Sequence, residues 1–283
     1  MLIEKRQDQC MECTLCARDC VMGVWRIVDG RTTPQKTELC NRCGHCVAVC
    51  PTEAVIHRGL DMHQIAKVNR AHLNPDVFYD VVVSRRSVRQ FQDKPVPREL
   101  IEKIIHLASF APTASNDQNV GYTVITDKAL ISQTAKKIFG AANFFYNLSK
   151  TTIGQIWMNL SGLSKNRYIR VMEYVQAKTL EEGRDFILHN APVLILIHAP
   201  QRRPFASDNC NIAAATMANY AHTLGLGTCF IGLMTLLLRF HFKLRKRLGV
   251  PPGRKVFAVL VMGYPAYHFT NTVSRKKPEV CWR

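Results

Sequence analysis

Acidic side chains are scarce in this chain of 283 residues: 21 Asp and Glu stand against 38 Lys and Arg, a formal net charge of +17. A basic balance of that size suits an acidic protein partner, a phosphate-bearing cofactor or nucleic acid. A long apolar run is missing too. Leu224–Leu238 comes nearest, but it contains Gly225, Gly227 and Gly232 and falls short of the ~20 residues that a bilayer requires. It reads as a buried strand followed by a helix, and the expectation is a soluble protein with no membrane partner. The start, M-L-I-E-K-R-Q-D-Q-C, has no apolar stretch of the secretory kind, so a cytoplasmic location is expected. Cys210, Cys229 and Cys281, outside any pattern, fit a reducing compartment where cysteine acts as a small hydrophobe. No Ser-His-Asp or Cys-His arrangement has a workable spacing. Gly225-Leu226-Gly227 follows a helix and precedes a strand, the wrong order for a dinucleotide fingerprint. No nucleic-acid reading element accompanies the basic charge, so no nucleic-acid partner is expected.

What is present is cysteine in two matching ladders. Cys40 to Pro51 reads C-N-R-C-G-H-C-V-A-V-C-P, and Cys10, Cys13, Cys16 and Cys20 repeat its spacing. Three thiolates at every third residue can grip one iron–sulfur cube, while the fourth ligates a second cube. The pairing inferred is Cys10, Cys13, Cys16 with Cys50, and Cys40, Cys43, Cys46 with Cys20, giving two [4Fe-4S] clusters. Zinc prefers two separated ligand pairs, which a C-x2-C-x2-C run does not offer. Disulfides would need an oxidising compartment. His45, inside the second ladder, reads as a spacer near sulfur. Val21, not proline, follows Cys20, so the halves are not exact copies and their potentials are expected to differ. The ladders resemble those of the bacterial two-cluster ferredoxins.

Residues 1–60 are therefore expected to form a ferredoxin-like α+β unit with short strands at Val24–Val28 and Ala54–His57. Residues 61–74 read as a linker, and residues 75–283 as a second domain. In it, Asp76–Ser84 is expected to be a helix. Pro97 opens another, with Leu100, Ile101, Ile104, Ile105 and Ala108 on one stripe. Gly121–Thr126, Pro192–His198 and Val256–Met262 read as strands, the last two buried. Residues 128–182 read as mostly helical, with a basic middle near Ser164–Arg170, and Asp208–Leu224 as an alanine-rich helix suited to close packing. An extended basic tail follows the last strand.

Ser84-Arg85-Arg86-Ser87-Val88-Arg89 sets three guanidinium groups and two hydroxyls at a helix end. Guanidinium binds phosphate through paired hydrogen bonds, although alone the run could be a solvated turn. Its company decides: R-R-S-x-R, an amphipathic helix, then Ala111-Pro112-Thr113-Ala114-Ser115-Asn116-Asp117-Gln118, then a strand. This order resembles the FMN-dependent nitroreductase family, and the likeness runs from residue 75 through Ala191-Pro192 and Leu224–Gly227 into the tail. A fusion of ferredoxin and nitroreductase domains is itself a known arrangement.

The resemblance implies an α+β sandwich with a central, mainly antiparallel sheet, and a homodimer with FMN at its interface. It implies that Arg85, Arg86 and Ser87 hold the FMN phosphate and ribityl chain, and that Arg89 lies near the pyrimidine edge. Pro112, Thr113, Ala114 and Asn116 match a loop that meets flavin across the dimer, with Gln118 in support. Ile231 and Gly232 fall where backbone lies against the ring. Arg275, Lys276 and Lys277 precede Pro278, where the family keeps a phosphate-binding arginine; which of the three acts is open. Asn119-Val120 replaces the Pro-Trp frequent after that glutamine, and Thr113-Ala114 replaces a common serine pair. The activity implied is electron transfer from a low-potential donor such as ferredoxin through the clusters to FMN, with NAD(P)H, which binds over the flavin in simpler family members, as the other donor. FMN would then reduce a small acceptor: a nitroaromatic, quinone or activated alkene. The alternative is an electron carrier or redox sensor without an organic substrate.

Overall fold

Few apolar residues are available in the first quarter of the chain, and they are spent on short strands. The computed structural model describes residues 2–160 and 165–283. The chain divides into two units, Met1–Asn74 with Ala114–Asp117, and Pro75–Thr113 with Gln118–Arg283.

In the first unit, β1 (Ile3–Lys5) is followed by α1 (Leu15–Arg18), β2 (Trp25–Val28), β3 (Arg31–Pro34), α2 (His45–Ala48) and β4 (Val55–His57). β1 pairs antiparallel with β4, and β2 with β3. Asp29-Gly30 turns the β2–β3 hairpin with both residues at positive φ, 49° and 75°, the conformation that a two-residue hairpin loop demands. Ile3, Val24, Trp25, Val47 and Val55 are buried together with Cys16 and Cys46. A core this small needs a staple beyond its apolar area, and two of its members are cysteines. The short turn Ala114–Asn116 packs in this unit, where Asn116 Nδ2 donates to the carbonyls of Asn41 and Arg42, each at 3.0 Å.

The second unit runs α3 (Pro75–Ser84), α4 (Arg98–Ala108), β5 (Gly121–Ile125), α5 (Lys128–Ser149), α6 (Thr152–Leu160) and α7 (Lys165–Glu182). It continues with β6 (Val193–Pro200), α8 (Ala206–Thr223), β7 (Gly227–Phe230), α9 (Gly232–Phe240), α10 (Phe242–Arg247) and β8 (Arg254–Gly263). The sheet order is β5-β6-β8-β7, antiparallel throughout. Of the basic stretch 164–170, Ser164 lies outside the described residues.

Strand alternation builds two cores. Val193, Ile195, Ile197, Ala258, Leu260 and Met262 face a layer with α4 and α8, whereas Leu194, Leu196, Val259 and Val261 face one with α5 and α9. Both faces of β6 are therefore covered, which is why it is a continuous apolar run and not an alternating one. Ala213, Ala214, Ala218 and Ala221 let α8 lie close on the sheet. Asp127 caps α5, its carboxylate accepting from the N–H groups of Ala129 and Leu130 at 2.8 and 3.1 Å. The sheet and its two helical layers form an α+β sandwich, as expected from the sequence. No helix among the described residues is long and apolar enough to cross a membrane.

Candidate cluster and cofactor sites

The two cysteine ladders repeat in backbone as well as in spacing. Glu12 and Thr14 adopt φ of 50° and 61°, and Arg42 and Gly44, at the equivalent positions, 54° and 76°. Only one of these is glycine, and a left-handed non-glycine residue costs about 1–2 kcal/mol. The chain bears that cost three times, at Glu12, Thr14 and Arg42, just ahead of α1 and α2, in which Cys16 and Cys46 are buried. Backbone strain held in this way clusters at functional sites.

Cys10, Cys13, Cys16 and Cys50 line one cavity, with Lys5 and Thr32 among its walls. The other four also lie together. Burial is the main cause that pushes the Cys46 thiol up to about 11, and Cys40, Cys43 and Cys20 add to it. The buried indole N–H of Trp25 lies beside Cys46 and eases that shift without reaching a hydrogen-bond partner. Burial likewise raises Cys16. At Cys50 burial is outweighed by hydrogen bonds from Thr52 and Ala54, which hold the thiol below its ordinary value.

Backbone N–H groups reach sulfur in both sets, Ala54 to Cys50 at 3.2 Å and Arg42 to Cys40 at 3.4 Å. Among the described residues no three Cys, His, Asp or Glu side chains converge closely enough to hold one metal ion. A single ion needs every donor within ~2.0–2.3 Å of one point, whereas a cubane spreads four thiolates over four irons. Four thiol groups around one cavity are the donor number and softness that a cubane takes. His45 turns to the surface, its Nδ1 3.0 Å from Asp19 Oδ2.

In the second unit, the turn after α3 carries Arg85, Arg86, Ser87 and Arg89. Ser87 bridges to Thr228 of β7 in parallel fashion. Arg85 and Arg86 line a pocket with Ser84, His222, Gly225 and Thr228. Arg86 Nη1 donates to the Arg85 carbonyl at 2.7 Å, but its Nε and Nη2 are buried with no partner among the described residues. Buried charged donors left unpaired are costly and rare. The edge formed by Nε and Nη2 is the one that binds an oxyanion through two parallel bonds, so this residue fits a phosphate group. His222 stands alongside, its Nε2 2.8 Å from Ser84 Oγ. Burial, then the charges of Arg85 and Arg86, keep His222 below the usual histidine range. Arg89 lies near Cys229, whose thiol burial raises while Arg89 and Ser87 oppose the rise.

The remaining expected residues are more scattered. Gln118 donates its backbone N–H to Thr113 Oγ1 at 3.1 Å, and Pro112 precedes that turn. Ala114 and Asn116 pack in the first unit. Ile231 donates to the Val259 carbonyl at 2.9 Å and starts α9. At Gly232 an added Cβ would meet nothing within 4 Å, so the backbone there is open to an approaching group. Arg275, Lys276 and Lys277 lie in the exposed tail without a hydrogen bond or ion pair among the described residues. His222 and Cys229 escaped the sequence reading because neither belongs to a spaced motif; tertiary contact alone brings them to the arginines.

A family model described as the nitroreductase family matches residues 82–264, and one described as a 4Fe-4S dicluster domain matches residues 9–55. Iodotyrosine deiodinase 1 of Homo sapiens is 27% identical over 212 residues, covering 71% of this chain and 65% of the deiodinase. A nitroreductase with bound FMN from Bacteroides fragilis has a TM-score of 0.55 at 19% identity, covering 72% of this chain and 98% of its own. An FMN-dependent nitroreductase from Mycobacterium smegmatis in complex with NADPH has a TM-score of 0.50 at 20% identity, covering 68% and 88%. At these identities the two structures attest the fold.

Proposed function

This chain belongs to the nitroreductase family and carries an N-terminal 4Fe-4S dicluster domain, and on that premise we propose a specific electron path for this FMN-dependent oxidoreductase. Electrons arrive singly from a low-potential protein donor, cross two [4Fe-4S] clusters to FMN, and reduce a small acceptor such as a nitroaromatic, quinone or activated alkene. When bound, the clusters supply one-electron transfer and the flavin supplies exchange between one- and two-electron chemistry.

The observation that carries the flavin half is Arg86, whose buried Nε and Nη2 have no partner among the described residues. In this reading Arg86 grips the FMN phosphate, Arg85 and Ser87 contact the phosphate and ribityl chain, and Arg89 sets positive charge at the pyrimidine edge. The open backbone at Ile231 and Gly232 accommodates the ring. Cys10, Cys13, Cys16 and Cys50 hold one cluster; Cys40, Cys43, Cys46 and Cys20 hold the other.

A second copy of the chain completes the flavin site. Pro112, Thr113, Ala114 and Asn116, supported by Gln118, are the groups it would supply, while one of Arg275, Lys276 and Lys277 of the tail adds charge to the phosphate. The exposure of Val77, Phe78 and Tyr79 on α3, and of Phe144 and Phe145 on α5, supports a covered apolar surface.

Anaerobic purification with iron, sulfide and FMN measured per chain tests the reading, followed by turnover with a panel of acceptors. About eight irons, eight sulfides and one FMN are expected. Iron with no flavin, or flavin with no acceptor turnover from any donor, would sink it.

A further inference from the structure

His57, at the end of β4, is fully buried in the first unit and belongs to no motif. Its two ring nitrogens have different partners. The backbone N–H of Gly59 donates to Nδ1 at 3.1 Å, and Nε2 lies 3.4 Å from Cys40 Sγ. A backbone amide can only donate, so Nδ1 holds a lone pair and the ring proton resides on Nε2. That proton faces the sulfur. The ring sits close against the turn that supplies the amide: an added Cβ on Gly59 would lie 3.0 Å from His57 Cε1, tighter than ordinary contact. Pairing of His57 with Ile3 in the β1–β4 ladder fixes the backbone beneath it.

Resting on the cluster assignment above, we propose that His57 donates Nε2–H to the Cys40 thiolate and so raises the reduction potential of the cluster held by Cys20, Cys40, Cys43 and Cys46. A reduced cluster carries one more negative charge, shared with its sulfurs, and a donor to sulfur stabilises that state more than the oxidised one. One electron enters; the proton stays on Nε2 throughout, and no bond forms or breaks.

Among the described residues the other cysteine set has no such ring donor. Thr32 Oγ1 is 3.8 Å from Cys16 Sγ and 3.4 Å from Glu12 Oε2, so this hydroxyl is shared between the thiol and a carboxylate. Lys5, which lines that cavity, is ion-paired with Glu12 at 2.7 Å, so its charge is largely offset. Cys50 receives the Ala54 N–H at 3.2 Å and lies 3.8 Å from the Thr52 hydroxyl. The effect of His57 is therefore confined to one cluster.

The test is an anaerobic spectroelectrochemical and EPR titration of wild type and His57→Leu, with iron and sulfide counted in each. One of the two potentials is expected to fall by the equivalent of about tenfold in the reduction equilibrium, about 59 mV for a one-electron couple, while the other stays. Two unmoved potentials in a fully loaded variant would overturn the role of His57 and leave the cluster assignment intact. Because loss of a cluster in the variant would remove one potential from view, a second measurement uses [15N]histidine in a His45→Ala background, which keeps His57. Hyperfine coupling of a histidine nitrogen to the reduced cluster is expected, and its absence overturns the proposal. A wild type that holds no iron or sulfide removes the cluster assignment itself, and this inference with it.

Discussion

Val88 donates its backbone N–H to the carbonyl of Thr228 at 3.0 Å, fastening the arginine-rich turn to strand β7. The approach is close because Gly227 has no side chain; a Cβ there would lie 2.5 Å from Val88 Cγ2. Arg85, Arg86, Ser87 and Arg89 thus hang from the sheet, not from a free loop. A fixed anchor of this kind lets guanidinium groups be oriented before a ligand arrives.

Gly227→Ala is accordingly expected to do two things. Overpacking against Val88 costs about 1–3 kcal/mol of stability. Displacement of the turn lowers FMN affinity by roughly tenfold, about 1.4 kcal/mol. Thermal unfolding of the apoprotein and a flavin-fluorescence titration read the two separately. Unchanged flavin affinity in the folded variant would detach this turn from the cofactor.

Arg86→Ala separates binding from folding. A charged hydrogen-bonding partner contributes about 1.5–3 kcal/mol, roughly tenfold to over a hundredfold in affinity. Apoprotein stability is expected to hold or rise, since Nε and Nη2 bond to nothing without the ligand. Arg85→Ala should weaken FMN similarly while leaving cluster absorbance intact. A flavin dissociation constant that ignores both changes is the contrary result.

Cys43→Ser is expected to disrupt the second-ladder cluster, because an alkoxide oxygen is a poorer soft donor than thiolate. FMN should remain, since its arginines belong to the other unit. Iron count, EPR and flavin per chain check this together. Retention of both clusters would show that Cys43 is not a ligand.

Stability should depend on pH through His198. Burial, then the charge of Arg254, holds this histidine at about 4 against an ordinary 6.5. Its Nδ1 accepts from Arg254 Nε at 2.7 Å, and its Nε2 lies 3.1 Å from Thr123 Oγ1. The unfolded chain takes up the proton first, so the contribution is complete above about pH 6.5 and is lost as pH falls toward 4. The loss amounts to about 3 kcal/mol. Urea unfolding of wild type and His198→Gln across that window should show a shallower slope in the variant; equal slopes would contradict it.

Electron supply is testable through salt. With a formal net charge of +17, encounter with an acidic one-electron donor is favoured and screened at ionic strengths near 0.15 M, where the field reaches only about 8 Å. Stopped-flow flavin reduction should be faster with reduced ferredoxin than with NADH or NADPH, should slow as salt rises, and should collapse in Cys43→Ser. Equal NAD(P)H rates in both proteins, with no reduction by ferredoxin, would rule out the clusters as the entry path.

Local chemistry was legible from residue order alone. Covalent spacing decides which thiolates share a face, so the ladders of Cys10–Cys20 and Cys40–Cys50 pointed to the 4Fe-4S dicluster domain before any fold was known. Periodicity did the same for β6, whose unbroken V-L-I-L-I demanded cover on both faces, and for α4, whose stripe faces the sheet. What only the tertiary structure decided are contacts between residues far apart in sequence. His57 at the end of β4 reaches Cys40 across 17 positions, and His222 reaches Ser84 across 138 positions because α8 ends beside α3. Arg85 and Arg86 shared one expected role until burial singled out Arg86, whose Nε and Nη2 have no partner among the described residues. Sequence determines which groups exist and which share a local face; burial and long-range approach decide which of them lack water, and so which must wait for a ligand.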